Sequence, residues 1–177
     1  MHNLAHRPRR TAAVPAAPRP HLSATFAARP ARSSDAVDVH MLVEMFTRDG
    51  ELLPRSLEQI QQAMDDYVVV VDGHDRVLAC AALAEYSPSL GEVGSVAVHP
   101  DYQGRGLGTI AVRGAEAIAR RRGIDELFAV SNASGFFESL GYARTPLTRY
   151  PEKLARYARS GRGAASMRKP CFRKNAA

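Results

Sequence analysis

No stretch of this 177-residue chain approaches the roughly 18 consecutive apolar residues that cross a bilayer, which argues against a membrane partner. Cysteine is scarce as well. Cys80 and Cys171 lie far apart, with no C-x-x-C pair and no cysteine and histidine cluster, so a disulfide framework and a zinc ribbon are excluded and no metal is expected. That usage fits a reducing, cytoplasmic compartment. Acid is missing from both ends: residues 1–34 carry six arginines and residues 153–177 eight Lys or Arg, with no Asp or Glu in either. Residues 35–152 hold all 18 acidic side chains against ten basic ones, so the net +6 hides a middle of −8. Basic ends outside an acidic core solubilise or touch anions loosely, and nucleic acid is set aside as a partner.

What is present is globular: 45% apolar and 24% charged residues, enough for one domain with a sizeable core. Residues 1–25, rich in Ala, Pro and Arg, read as a disordered basic tail, because the prolines break the helix that an organelle transit segment would need. Residues 26–152 read as the domain and 153–177 as a basic C-terminal tail, with Met167, Cys171 and Phe172 as its candidate anchors. Within the domain a strand is expected near Phe26–Arg32. A helix follows, capped by Ser34 and burying Val37, Met41, Leu42 and Met45, and then a second helix with Ser56 and Gln59 at capping-box spacing. Strands Tyr67–Asp72 and Arg76–Glu85 form a hairpin around Gly73, and Glu92–Val98 comes after a turn. A helix from Leu107 ends at Arg120-Arg121-Arg122 and Gly123; a strand Leu127–Ser131, a short helix Ser134–Leu140 and a strand from Tyr142 complete the order β-α-α-β-β-β-α-β-α-β.

The segment Val96-Ala97-Val98-His99-Pro100-Asp101-Tyr102-Gln103-Gly104-Arg105-Gly106-Leu107-Gly108-Thr109 runs from strand through loop into helix. Glycines at 104, 106 and 108 let successive N–H groups turn into one concavity at the positive end of a helix, which is a geometry for a pyrophosphate. No Lys follows them, so this is not a Walker loop, and their alternate spacing is not the dinucleotide fingerprint.

Gln103, Gly106 and Gly108 match the acetyl-coenzyme A loop of the GCN5-related N-acetyltransferases, which has Gln or Arg, two residues, Gly, one residue, then Gly or Ala. Phe136-Phe137-Glu138-Ser139-Leu140-Gly141-Tyr142 is similar to the family's helix and turn after its fifth strand. Over about residues 26–150 the chain therefore resembles that superfamily. The resemblance implies an α/β (α+β) fold with a mixed, mostly antiparallel sheet, whose fourth and fifth strands splay apart and are flanked by helices. It also implies acetyl-CoA as cosubstrate. Val96, Ala97 and Val98 would meet pantetheine, Val96 or its neighbour would offer an N–H to the oxyanion, and Gln103, Gly104, Arg105, Gly106, Leu107, Gly108 and Thr109 would hold the pyrophosphate, with Asn132 and Phe137 completing the cofactor site.

Acetyl transfer to an amine needs a base, because an ammonium has no lone pair, and it needs an N–H donor for the oxyanion and a proton for the thiolate. Glu92, at the start of the fourth strand, is the candidate base, with Glu85 in reserve and His99 set aside as a solvated side chain. Where many family members carry a tyrosine acid this chain has Phe137, leaving Ser134 or Asn132 to organise a water, or an unassisted thiolate.

Leu52-Leu53-Pro54-Arg55-Ser56, Leu90-Gly91-Glu92-Val93-Gly94-Ser95-Val96-Ala97-Val98 and Pro151-Glu152-Lys153 are similar to segments of short amino-acid acetyltransferases of the N-acetylglutamate synthase type. That closer resemblance implies a small-molecule amine or amino-acid acceptor, L-glutamate first, as in arginine biosynthesis. Arg55 and Lys153, with Arg149 behind them, are the candidate cations for its carboxylates. Gly94 departs from the pattern, which has arginine there. Another amine as acceptor, or a non-catalytic acyl-CoA-binding module, stays open, and so does a homodimer.

Overall fold

The computed structural model describes residues 25–160 and 165–171, so the expected disorder of residues 1–24 and the anchor Phe172 lie outside the described residues. Seven strands form one sheet in the order β1-β2-β3-β4-β5-β7-β6. They are β1 (Ala27–Pro30), β2 (Tyr67–Val71), β3 (Val77–Ser87), β4 (Leu90–Val98), β5 (Glu126–Ser131), β6 (Ala143–Thr145) and β7 (Ala165–Pro170). Every neighbouring pair is antiparallel except β4 with β5. The helices are α1 (Ala36–Arg48), α2 (Leu57–Gln62), α3 (Leu107–Arg121), α4 (Ser134–Ser139) and α5 (Pro151–Ser160). None among the described residues is long and apolar enough to cross a membrane.

The valine run of β2 is buried along its whole length, as a strand covered on both faces requires. Val68 and Val70 join Leu83, Leu107, Val112, Ile118 and Leu127 under α3, while Val69 and Val71 face Val39, Val43 and Ile60 under α1 and α2. The period of two along the strand thus sends alternate valines into two cores. At Gly114 a Cβ would stand 2.6 Å from a Val68 methyl, so glycine is what lets α3 lie flat on β2. The capping box of α2 is formed: Gln59 N–H donates to Ser56 Oγ at 3.2 Å and Ser56 N–H to Gln59 Oε1 at 3.1 Å.

Three expectations change. Ser34 does not cap α1, because it lies inside a 3-10 turn at Ser33–Asp35 and Asp35 stands at the helix start. Leu42 of α1 is buried as foreseen, but Val37, Met41 and Met45 are exposed, and the face turned inward carries Ala36, Val39 and Val43 instead. The described residues after Glu152 are not a tail. Residues 151–160 form α5, and 165–170 form β7, which pairs with β5 from Glu126↔Pro170 to Ser131↔Ala165 and also carries β6. Two of the described cations of β7 are paired within the fold: Lys169 Nζ binds the buried Glu116 at 3.0 Å and Arg168 reaches Glu126 at 3.4 Å. At the other end of the fold Arg29 pairs with Asp35 at 2.7 Å. The uneven charge along the sequence is therefore partly cancelled in space.

Candidate active site

β4 and β5 pair only at Leu90↔Glu126, Gly91↔Leu127 and Glu92↔Phe128. Past Glu92 they diverge, β5 staying with β7 and β4 with β3. On β4 a bulge sits at this fork: Cys80↔Ala97 and Ala82↔Gly94 leave two residues, Ser95 and Val96, opposite one, and Ser95 takes the left-handed φ of 49°. Neighbours hold it there. Tyr67 Oη donates to Ser95 Oγ at 3.3 Å, and the Cys80 thiol, pushed up to about 12 by burial, donates to Ser95 O at 3.3 Å.

The divergence opens a cleft of about 660 Å³ lined by Phe46, Leu52, Val96, Val98, Asn132 and Phe136, among others. At its end stands the glycine turn. Gly104 and Gly106 adopt φ of 73° and 80°, which L side chains rarely adopt, and a Cβ on either would meet nothing within 4 Å. Glycine is thus demanded here by backbone angle and not by crowding. Gly106 caps α3, whose first N–H groups have no intrahelical acceptor and point into the same concavity. At Gly108 a Cβ would come within 3.4 Å of Phe136 and Val98, so its bareness keeps the cleft open. These features fit a pyrophosphate with an extended pantetheine arm.

Beyond the fork lies a small pocket of about 60 Å³ lined by Glu92, Gly94, Ser95, Ser131, Arg55, Lys153 and Tyr157, among others. It shares Glu51, Leu52 and Ser131 with the cleft, so the two are continuous. Glu92 and Lys153 are each 4% exposed and form an ion pair through Glu92 Oε1. Tyr86 Oη donates to the other oxygen, Oε2, at 3.0 Å. Burial and the adjacent carboxylate push the Tyr86 phenol up to about 12, so it stays a donor. Burial lowers the Lys153 ammonium from its ordinary value, against the pull of Glu92. The Lys153 Nζ also sits 5.3 Å from the Tyr157 ring centroid. A Cβ at Gly94 would stand 3.7 Å from Glu92 Oε1, so the residue that departs from the related pattern borders the carboxylate itself. No hydrogen bond or ion pair holds Arg55 among the described residues.

Other expected site residues are placed elsewhere. Phe137 is buried in the α3 core against Tyr142, and its neighbour Phe136 takes the cleft. Leu107 is likewise a core residue, and the Ala97 side chain packs under α1. Gln103 Nε2 donates to the Val98 carbonyl at 3.4 Å. Arg105 stacks over Tyr102, and Thr109 is half-buried in the first turn of α3. Glu85 points to the opposite face of β3, bound by Arg122 at 2.8 Å, because strand neighbours alternate. Arg149 binds Glu126 at 3.1 Å, outside the small pocket. His99 Nδ1 accepts the Asp101 N–H, and Ser134 Oγ accepts Arg144. Tyr86 and Tyr157 were not foreseen. Tyr86 had a signal, since strand alternation puts residues 84 and 86 on one face, with Ala84 opposite Glu92; Tyr157, one helical turn past Lys153, had none without α5.

Fold and clefts together define an α/β protein with a main-chain cradle of the shape a phosphate-bearing carrier needs, joined to a second, small pocket lined by charged side chains. The model of the acetyltransferase (GNAT) family matches residues 38–142, and the chain belongs to that family of acetyltransferases. It is 34% identical over 128 residues to an uncharacterized N-acetyltransferase of Chlorobaculum tepidum, covering 72% of this chain and 82% of that one. It is 31% identical over 132 residues to an amino-acid acetyltransferase of Proteus mirabilis, covering 73% of this chain but 30% of the relative. Among solved structures, N-acetylglutamate synthase of Neisseria gonorrhoeae, complexed with coenzyme A and N-acetyl-glutamate, superposes with a TM-score of 0.77 at 26% identity, over 84% of this chain and 36% of that one. The chain thus spans about a third of these last two proteins.

Proposed function

We propose that the chain transfers the acetyl group of acetyl-CoA to the amino group of a small amino acid, with L-glutamate the favoured acceptor, as in arginine biosynthesis. The observation that carries this reading is the meeting of Glu92, Lys153 and the unengaged Arg55 in one small pocket joined to the splayed cleft. A carboxylated amine suits such a lining, because a guanidinium grips a carboxylate in two parallel bonds. The names of the related amino-acid acetyltransferases and of the glutamate-type neighbour support the same acceptor class.

In this reading the backbone of residues 103–109 holds the pyrophosphate, and Val96 and Val98 flank pantetheine beside Asn132. Glu92 takes one proton from the acceptor ammonium, directly or through a water. The freed nitrogen forms its bond to the acetyl carbon while the N–H at the Val96 bulge steadies the carbonyl oxygen. The C–S bond then breaks with its electron pair on sulfur, which takes the second proton lost by nitrogen; Glu92 returns the first to solvent. Phe137, turned into the core, offers no proton, and a thiol is acidic enough to leave without one near neutral pH. The test is a thiol-release screen with acetyl-CoA against single amino acids, spermidine and other amines. Release with glutamate above the others is expected; a preference for spermidine overturns the acceptor, and no release with any amine overturns the enzyme reading.

A further inference from the structure

We infer that the acceptor's own carboxylate switches on the base, by drawing the Lys153 ammonium off Glu92. This rests on the reading above, in which Glu92 is the base and the acceptor is an amino acid. As it stands, Glu92 is closed at both oxygens: Oε1 is paired with Lys153 and Oε2 accepts Tyr86. A carboxylate engaged at both oxygens in this way offers an incoming ammonium little free approach. Both partners are buried, so the pair is exchanged for another charge and not for water.

The pocket supplies what an exchange needs. Arg55 lines it without a carboxylate partner among the described residues, so an incoming carboxylate can land between Arg55 and Lys153. The Tyr157 ring, 5.3 Å from Lys153 Nζ, already faces the ammonium and can go on stabilising it when it leaves Glu92. Burial already lowers the ammonium's pKa, which weakens its hold on the charged form. The other charged or titratable groups facing the pair are Tyr86 of β3, Arg55 before α2, Arg156 and Tyr157 of α5, and Glu51 at the rim. The carboxylate among these, Glu51, is exposed at the rim, so Glu92 is the inner partner of the ammonium until an anion arrives. Specificity follows: an amine without a carboxylate leaves the base closed, whatever its affinity.

The experiment uses the best amino acid from the thiol-release screen and its α-amide, amidated at any side-chain carboxylate as well, so that every carboxylate becomes a neutral group of the same size. Wild type and Lys153→Met are compared, each at the plateau of its own pH–rate profile, with acetyl-CoA affinity by calorimetry reporting folding. If Lys153 gates Glu92, the α-amide's kcat rises in Lys153→Met by about tenfold while the amino acid's KM rises. Lys153→Gln, which keeps a donor without charge, shows the same gain if Met does not fold. An α-amide rate that is unchanged or lower in both variants, with the amino acid impaired, leaves Lys153 a plain carboxylate anchor and overturns the switch alone. A wild type inert toward every amino acid overturns the functional reading, and the switch with it.

Discussion

The two halves of the candidate site are built in opposite ways. The phosphate cradle is made of main chain: a strand end, a turn with two left-handed glycines and the first turn of α3 lie within one short segment. The acceptor pocket is made of side chains that meet from β3, β4, the loop before α2 and α5. Backbone recognition is tolerant of most side-chain changes but intolerant of changes in dihedral angle. Side-chain recognition inverts this, and one altered charge reorganises the whole pocket.

The largest effect that would sharpen this contrast is at Glu92. Glu92→Gln is expected to lower kcat by roughly 10²–10⁴ while acetyl-CoA affinity by calorimetry stays near wild type. Because the change leaves Lys153 buried without its counter-charge, the melting temperature should fall as well. A pH–rate profile that does not move would break the assignment. Next comes Arg55→Ala, expected to raise the acceptor's KM by about ten- to a hundredfold, since a hydrogen bond to a charged group contributes about 1.5–3 kcal/mol. Arg55→Lys should recover only part, and coenzyme affinity should hold in both. On the backbone side, Gly106→Ala should weaken acetyl-CoA binding by about tenfold, since a left-handed L residue costs roughly 1–2 kcal/mol and the added Cβ meets nothing. Gly108→Val tests the other cause, crowding against Phe136 and Val98; equal affinities in these two variants and wild type would break the contrast.

The smallest expected effect lies outside both halves. Asp35, hydrogen-bonded by Arg29, is held below the usual carboxylate range. A depressed folded pKa contributes stability that is complete above the ordinary Asp value and lost as pH falls through the folded one. Thermal unfolding followed downward from pH 5 should therefore show a falling melting temperature that Asp35→Asn flattens.

The cradle was legible in the sequence because its residues are contiguous and its glycines answer a local demand. The hairpin of β2 and β3, the capping box of α2 and the stop at Gly123 were legible for the same reason. α1 was not fully so. It carries apolar residues at helical spacing on two faces, and only the sheet decides that Val39 and Val43, not Met41 and Met45, turn inward. α5 buries a lysine and a tyrosine rather than an apolar stripe, and β7 offers one large apolar side chain, Met167, among cations. Their partners Glu92, Glu116 and Glu126 are distant in sequence, so the positive charge looked like solvent-seeking tail. Phe137 and Phe136 differ only in which way one helical position faces, a choice the motif does not encode.

The position of β7 between β5 and β6 sets an order of events during synthesis. β6 pairs with β7 alone among the described residues, so it has no seat in the sheet until the later strand has emerged. β1 to β4 and α3 can close on each other beforehand, and α5 has its anchors on strands already made, through Lys153 to Glu92 of β4 and Tyr157 to the Val130 carbonyl of β5. The β5–β7–β6 edge is therefore expected to form last, and a chain ended before residue 165 should lose the hydrogen-exchange protection of β6 while β2 and β3 keep theirs.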